Sequence, residues 1–198
     1  MNTQRRLPNP NGLTITPRKL AHVVLRVSEL KRSRDWYLKV LDATPAFEND
    51  MVCFLTYDEE HHRIGLISRP DLGRSSDQHT GLEHIAFTYG SLEELLVNYR
   101  RLAAGGVRPY WTINHGPTIS LYYKDPDGNR LELQHDVFER AEDLDAFFAG
   151  AAYTENFIGV RFDPDELIAR FEAGEPLDAL MARPKLGEGV TPWDMFVA

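Results

Sequence analysis

Three side chains of this chain have the types and the placing to bind a metal ion together. His22 begins HVVLRV and His84 begins HIAFTY, two similar segments one repeat length apart, and Glu132 lies in the apolar segment RLELQ. A carboxylate in such a segment needs a partner, because an unpaired buried charge is very costly. Two histidines and one carboxylate leave other coordination positions open, which is typical of non-haem Fe(II) oxygenases. We therefore predict a metal site at which a substrate could chelate the ion beside O₂.

Each of these residues also has a simpler interpretation. A single histidine on a strand is more often structural than a metal ligand, and Glu132 alone could pair with an arginine such as Arg26. The matched positions of His22 and His84 in two similar segments favour the metal interpretation over these alternatives.

The element that must carry Glu132 is a hairpin over residues 118–134, TISLYYKDPDGNRLELQ. Apolar and polar side chains alternate in its first half, which predicts a strand with two different faces. Asp-Pro-Asp-Gly then predicts a tight turn, since proline fixes φ and glycine adopts the left-handed conformation. On the return strand, Glu132 is expected to face away from Leu131 and Leu133.

One pattern of elements occurs twice, over residues 19–68 and 81–135. Each unit opens with a strand that contains one of the two histidines, continues with an amphipathic helix and ends with strand-like segments. Apolar spacing predicts the helices at residues 30–41 and 91–104, the second opened by a capping box. This duplication predicts an α+β fold of two tandem βαβββ units. Pairing of the units would bring both histidines to one concave face.

Other segments flank or join the two units. Residues 1–18 are interpreted as a polar N-terminal arm and residues 69–80 as a polar loop between the units. Residues 137–198 contain too many apolar side chains for a disordered tail, and we expect this C-terminal extension to pack on the units or on a second subunit. Apolar spacing in the extension predicts three short helices, at 141–148, 164–173 and 177–182.

Composition limits the class of protein and its surroundings. The net charge is −8, and no basic patch argues for a nucleic-acid partner. We expect no membrane association, because the sequence has no apolar run long enough to span a bilayer and no signal peptide in MNTQRRLPNP. The single cysteine, Cys53, excludes an intramolecular disulfide and fits a reducing compartment, so a cytoplasmic location is expected.

These residues carry a resemblance to a known family. HVVLRV, HIAFTY and DPDGNRLELQ, set in a twofold βαβββ pattern, resemble the vicinal-oxygen-chelate superfamily. Over residues 19–136 the chain is most similar to type I extradiol ring-cleaving dioxygenases, in a short form with a single module. The resemblance implies that this module forms a metal-holding β-cup, followed by the helical C-terminal extension. It also implies that His22, His84 and Glu132 bind Fe(II), with Mn(II) as the alternative metal.

Three more residues match positions that distinguish these dioxygenases from their relatives. His62, in HHRIGL, occupies the place of a catalytic histidine, and Tyr122 that of a tyrosine shortly before the Asp-Pro turn. His115 is the candidate for a further histidine, although it lies slightly closer to Tyr122 than in the family. The resemblance implies that His62 moves a substrate proton, for which an unperturbed pKa of about 6.5 is suitable. Tyr122 would hydrogen-bond a substrate oxygen, and His115 would hold or cover the substrate.

The implied activity is opening of a catechol-type ring beside its two hydroxyl groups. The expected partners are a small aromatic diol and O₂, and the chain is expected to form a homo-oligomer. Glyoxalase-like isomerases and fosfomycin thiol transferases share the module, but glyoxalases generally use four protein ligands and HRIGLI offers no carboxylate. A further alternative is a module that sequesters a ligand without metal, against which the intact ligand set argues.

Overall fold

Two sheets built on one plan form the centre of the chain. The computed structural model describes residue 12 and residues 15–73 and 80–196. The first unit comprises β1 (Val23–Val27), α1 (Leu30–Leu41), β2 (Thr44–Glu48), β3 (Val52–Thr56) and β4 (Ile64–Ser68). The second comprises β5 (Ile85–Thr88), α2 (Leu92–Ala104), β6 (Trp111–Asn114), β7 (Thr118–Lys124) and β8 (Arg130–Asp136).

The two units have matching sheet topology. The strand order is β1-β4-β3-β2 in the first sheet and β5-β8-β7-β6 in the second. In each unit the first strand pairs in parallel with the fourth, and the remaining pairs are antiparallel. The predicted α+β fold of two βαβββ units is therefore confirmed.

The elements of the C-terminal extension follow the second unit. They are α3 (Ala141–Ala149), α4 (Ala151–Glu155), β9 (Val160–Arg161), α5 (Pro164–Glu172), α6 (Leu177–Met181) and a 3-10 helix (Pro192–Met195). β9 pairs with β6 and so extends the second sheet. Leu167, Ile168 and Leu180 of the extension are buried in the core of the second unit. The extension therefore packs on the second unit of its own chain.

The hairpin of β7 and β8 has the predicted turn. Gly128 has a φ of 90°, which favours glycine, and its N–H donates to the Asp125 carbonyl at 3.0 Å. The Asp125 carboxylate accepts bonds from the backbone N–H groups of Asp127 at 2.9 Å and Asn129 at 2.8 Å. These bonds fix the register in which Glu132 lies opposite Tyr122.

The helix-bearing faces of the two units pack against each other. Leu131 of β8 is fully buried in the apolar cluster of the first unit, and Val40 of α1 in that of the second. The Asp127 carboxylate accepts hydrogen bonds at the start of α1, from Ser28 N at 2.9 Å and from the Ser33 hydroxyl at 3.3 Å. Because the helix-bearing faces meet, the opposite face of each sheet lies on the outer side; on the first sheet this outer face is open, with Val24 45% exposed.

Some boundaries differ from the sequence prediction. The first strand of each unit begins one residue after its histidine, at Val23 and Ile85. β2 was not identified, because TPAFE contains a proline, has a register shift and is exposed at every position. Most of the predicted arm and part of the 69–80 loop lie outside the described residues. Within residues 15–73 and 80–196, no helix has the length and apolar character needed to cross a bilayer.

Candidate metal centre and active site

Glu132 is the central residue of the site in the second unit. It lies between the buried Leu131 and Leu133 of β8, so its side chain projects to the face away from the helices. Only 5% of Glu132 is exposed, and its Oε2 lies 2.9 Å from His84 Nε2. Glu132 therefore pairs with a histidine, and the structure brings two of the three predicted metal ligands together.

The Glu132–His84 pair is electrostatically stabilised. Burial raises the pKa of Glu132, but hydrogen bonds from His84 and Ser120 outweigh burial, so the net pKa is lowered. The hydrogen bond to Glu132 raises the pKa of His84 against the opposing effect of burial. The carboxylate is thus held ionised, as a divalent metal ion would require.

Tyr122 and His115 form a second polar pair beside Glu132. The Tyr122 hydroxyl lies 3.0 Å from His115 Nε2, and the His115 Nδ1–H donates to the carbonyl of Ile158. Burial, and then the charge of Glu132, raise the pKa of Tyr122 far above its ordinary value, so the phenol stays protonated. Burial lowers the pKa of His115, so its ring is neutral near pH 7.

The remaining two candidates, His22 and His62, lie together on the first unit. Their ring centroids are 4.3 Å apart, and His62 also stacks on Phe54 at 4.6 Å. The Nδ1 atoms of His61 and His62 are 2.6 Å apart, which fits one donor and one acceptor. Burial, and then the charges of His22 and His61, lower the pKa of His62, so a neutral ring is favoured.

The structure thus sorts the six predicted site residues into two groups. Glu132, His84, Tyr122 and His115 form one group on the second unit, and His22 and His62 form the other on the first. Over residues 15–73 and 80–196, no three His, Cys, Asp or Glu side chains are grouped closely enough to hold an ion. A single chain therefore presents the predicted ligands as two separate parts.

Sequence reasoning missed the groups that support Tyr122 and His115. Trp111 stacks on the Tyr122 ring with centroids 4.7 Å apart. Ile158 bonds to His115 through its backbone carbonyl, a contact that no side-chain pattern could have identified. Arg183 donates to the His115 carbonyl at 3.1 Å from far along the chain. Only the fold reveals these contacts.

Comparisons with known proteins agree with this architecture. The family model of the Glyoxalase/Bleomycin resistance protein/Dioxygenase superfamily matches residues 19–133. Biphenyl-2,3-diol 1,2-dioxygenase 2 of Rhodococcus globerulus is 43% identical over 169 residues, covering 85% of this chain and 88% of that protein. Biphenyl-2,3-diol 1,2-dioxygenase 3 of the same organism is 42% identical over 173 residues, covering 86% and 90%. A lactoylglutathione lyase of Escherichia coli O157:H7 is 26% identical over 129 residues, covering 58% and 90%.

Solved structures share the fold of the two units. A glyoxylase/bleomycin resistance protein/dioxygenase domain from a Frankia species has a TM-score of 0.52 and 25% identity, covering 61% of this chain and 99% of that one. Lactoylglutathione lyase from Agrobacterium tumefaciens has a TM-score of 0.50 and 16% identity, covering 60% and 94%. The two dioxygenases extend the similarity into the C-terminal extension. The chain therefore belongs to the Glyoxalase/Bleomycin resistance protein/Dioxygenase superfamily, and within it to the extradiol dioxygenases.

Proposed function

We propose that this chain is an Fe(II)-dependent extradiol dioxygenase, which opens a catechol-type ring beside its two hydroxyl groups with O₂. One observation carries the proposal: a buried carboxylate, Glu132, is paired with His84 and lies beside the protonated Tyr122 hydroxyl. The relatives at 43% and 42% identity are named for biphenyl-2,3-diol, so a two-ring catechol is the first substrate to test.

The donor atoms suit the metal. Imidazole nitrogen and carboxylate oxygen are ligands that Fe(II) accepts, and the set of His22, His84 and Glu132 leaves positions open for a bidentate diol and O₂. When bound, Fe(II) would hold the deprotonated diol and O₂ next to one another and let electrons pass between them. Mn(II) is the alternative metal for the same donors.

The other residues act on the substrate and its protons. Tyr122, which burial keeps protonated, hydrogen-bonds a substrate oxygen. His62, whose neutral form is favoured, accepts a hydroxyl proton from the substrate and later returns it. His115 holds the Tyr122 hydroxyl and borders the substrate. The protonation states and contacts of these side chains support the proposed roles.

We further propose that a second copy of the chain supplies His22 and His62 to each site. The helix-bearing faces of the two units share buried clusters, so the two outer faces of one chain cannot close on each other. The open face of the first unit carries exposed apolar side chains, including Val24 and Phe47 at 45% and 50% exposure. Burial of such a face against a second copy is favourable, and an isologous dimer would form two complete sites.

The same geometry argues against a four-ligand lyase. In the first unit the position that corresponds to Glu132 is Gly65, since Val24 lies opposite Gly65 in the register in which Ala86 lies opposite Glu132. Glycine has no side chain to bind a metal. The first unit thus contributes one histidine ligand and no carboxylate, as expected for a three-ligand site.

The primary experiment measures ring opening directly. Protein loaded anaerobically with Fe(II) is mixed with O₂ and a panel of catechols that includes biphenyl-2,3-diol. We expect O₂ uptake and a coloured ring-opened product that incorporates both atoms of ¹⁸O₂. Absence of O₂ uptake with every catechol would overturn the proposal.

A second experiment tests whether the site is shared between copies. His22→Ala and Glu132→Ala chains, each inactive alone, are co-expressed with different tags. If each site takes His22 from one copy and Glu132 from the other, the mixed dimer has one intact site, and random mixing restores about a quarter of the wild-type rate. If all ligands come from one chain, every site stays defective. Recovery below 1% in purified mixed dimers would therefore refute the shared site, without affecting the reaction proposed.

A further inference from the structure

The C-terminal extension reaches the Tyr122 site at two points. In the turn that leads into β9, the Ile158 carbonyl accepts a hydrogen bond from His115 Nδ1–H. Near the end of the chain, the Met195 carbonyl accepts a bond from Trp111 Nε1 at 2.9 Å, and Trp111 stacks on Tyr122. Two backbone carbonyls of the extension therefore bind two of the residues that contact the Tyr122 side chain.

The Ile158 carbonyl determines where His115 carries its proton. A carbonyl oxygen can only accept, so Nδ1 must be protonated, and Nε2 of the neutral ring is left with a lone pair. This nitrogen lies 3.0 Å from the Tyr122 oxygen, so the Tyr122 hydroxyl donates to it. The orientation of the Tyr122 hydroxyl thus depends on one peptide group of the extension.

Asn156 holds that peptide group in place. Its Oδ1 accepts bonds from the N–H groups of Gly159 at 2.8 Å and Ile158 at 3.1 Å, and its Nδ2 donates to the Gly159 carbonyl at 2.7 Å. In a trans peptide, N–H and C=O point in opposite directions. Because the Gly159 N–H points at Asn156, the Ile158 carbonyl is turned towards His115. Asn156 is only 6% exposed, so water competes little for these bonds.

Arg183 binds the backbone of both His115 and Asn156 with one guanidinium group. Its Nη1 donates to the Asn156 carbonyl at 2.7 Å and to the His115 carbonyl at 3.1 Å. Its Nη2 donates to the Ala152 carbonyl at 2.6 Å, and the guanidinium lies over the Phe147 ring. The planar fork of arginine suits this set of three carbonyls, whereas lysine could not reproduce it.

From these contacts we propose that Asn156 and Arg183 are positioning residues of the reaction: they hold the Ile158 carbonyl on His115 and thereby aim the Tyr122 hydroxyl. Both residues act through His115 and do not meet the substrate. The kinetic part of this proposal rests on the proposed function, whereas the protonated nitrogen of His115 is observable without any activity.

The test compares Asn156→Ala with a matched control, Asp163→Ala. Asp163 caps α5 in the same extension by accepting from Asp165 N at 2.8 Å, so its loss weakens the extension but removes no bond to residues 156–159. Imidazole ¹⁵N–¹H correlation spectra are recorded on the histidine-labelled chain before Fe(II) loading, with His115→Gln for assignment. We expect His115 to carry its proton on Nδ1 in the wild type and in Asp163→Ala, and to lose that preference in Asn156→Ala.

Kinetics on the Fe(II)-loaded enzyme with biphenyl-2,3-diol provide the second measurement. We expect Asn156→Ala to lower kcat by about 10- to 100-fold with little change in KM, because supporting contacts of this kind have effects of that size. Asp163→Ala should keep the wild-type kcat. Arg183→Lys, which keeps the charge, should change the His115 spectrum and kcat in the same direction by a smaller amount. It replaces Asn156→Ala as the test variant if Asn156→Ala does not fold.

Two results would overturn the proposal. One is a wild-type His115 protonated on Nε2. The other is an Asn156→Ala or Arg183→Lys chain with wild-type His115 signals and wild-type kcat, which would leave both residues with a purely structural role. If the wild type opens no catechol, the proposed function fails, and the spectra still decide whether the extension fixes His115.

Discussion

The two units share one frame but differ along a single row of side chains. Each row crosses the outer face of a sheet, from the first strand through the fourth and third to the second. In the first unit the row is Val24, Gly65, Phe54 and Phe47, and in the second it is Ala86, Glu132, Tyr122 and Trp111. A histidine precedes the first residue of each row by two positions, so the frame repeats although the polar groups do not.

The largest difference within the row is between Gly65 and Glu132. A Cβ atom at Gly65 would lie 3.2 Å from Val24 Cγ2 and 3.5 Å from Phe54 Cδ1, so a carboxylate fits there only if its neighbours move. Beside Glu132 the neighbours are the small Ala86 and the hydrogen-bonding Tyr122. Two equivalent positions of a duplicated fold can therefore differ so that only one of them carries a side chain able to bind a metal.

The two sheets also differ at the edge formed by the second strand of each unit, β2 in the first and β6 in the second. All five residues of β2 are exposed, whereas β6 pairs with β9 of the extension. Phe47 and Phe54 need only apolar contact, but Tyr122 and His115 must keep a fixed hydrogen-bond direction. The covered edge thus belongs to the unit whose row needs fixed orientation.

The largest effect is expected from removing the charge of Glu132, the position that is Gly65 in the first unit. We expect Glu132→Gln to weaken Fe(II) retention by at least about 100-fold, since the loss of a direct ligand should exceed the effect of losing a supporting contact. Iron content after anaerobic loading and desalting is the measurement. Gln134→Ala, on the same face of β8, should retain iron like the wild type. A Glu132→Gln chain that keeps its iron would contradict the assignment of this position.

Making the third residue of the row alike in both units has the next largest effect. Tyr122→Phe matches Phe54, and we expect kcat for biphenyl-2,3-diol to fall by about 10- to 100-fold because a positioned hydrogen-bonding partner of the substrate is lost. Tyr123→Phe is the matched control from the opposite face of β7. Its hydroxyl is buried and has no hydrogen-bond partner in the part of the chain described.

The control carries its own expectation. Removing an unsatisfied buried hydroxyl is neutral or stabilising, by up to about 1 kcal/mol, so Tyr123→Phe should keep its kcat and melt at the same or a higher temperature. Stopped-flow rates and thermal unfolding measure the two quantities. Equal loss of rate in both variants would mean that the two faces of β7 do not differ in function.

Local pattern was enough to predict much of the fold. Helical spacing gave α1 with its observed bounds and α2 to within one residue, and the Asp-Pro-Asp-Gly turn placed Glu132 opposite the helix side. Only one of the two bonds of the predicted capping box is present. The Ser91 hydroxyl accepts from Glu94 N, but the Glu94 carboxylate accepts from Gly90 N and not from Ser91 N. β2 lacked any periodic signal, since no face of it is buried.

The site was less accessible to sequence reasoning for a physical reason. Period-two alternation shows which side chains share a face of a strand, but it does not show which faces meet. His22 and His84 were therefore expected to lie together, whereas they lie on the outer faces of different sheets. The support of His115 comes from a two-residue strand and a backbone carbonyl, neither of which has a sequence signature. Such groups are found only when the chain is folded.

The contact between the units is asymmetric, and replacement of Asp127 tests how much it contributes to stability. The second unit's turn stabilises the first unit's helix, because Asp127 accepts bonds from Ser28 and Ser33 and pairs with Arg32 at 3.3 Å. We expect Asp127→Ala to lower the free energy of unfolding by about 2 kcal/mol, as loss of a cap and of bonds to a charged group does. Thermal unfolding at neutral pH measures the loss, with the exposed Asp50→Ala as control.

The pH dependence of this contact has a defined sign. Burial raises the pKa of Asp127, but the hydrogen bonds from Ser28 and the charge of Arg32 lower it overall. A carboxyl whose pKa is depressed in the folded state adds stability above its unfolded pKa of about 3.9, and that stability is lost as the pH falls through the folded value. The difference in melting temperature between wild type and Asp127→Ala should therefore be full at pH 6 and shrink below pH 4. A difference that stayed constant down to pH 2 would show that the carboxylate charge does not hold the units together.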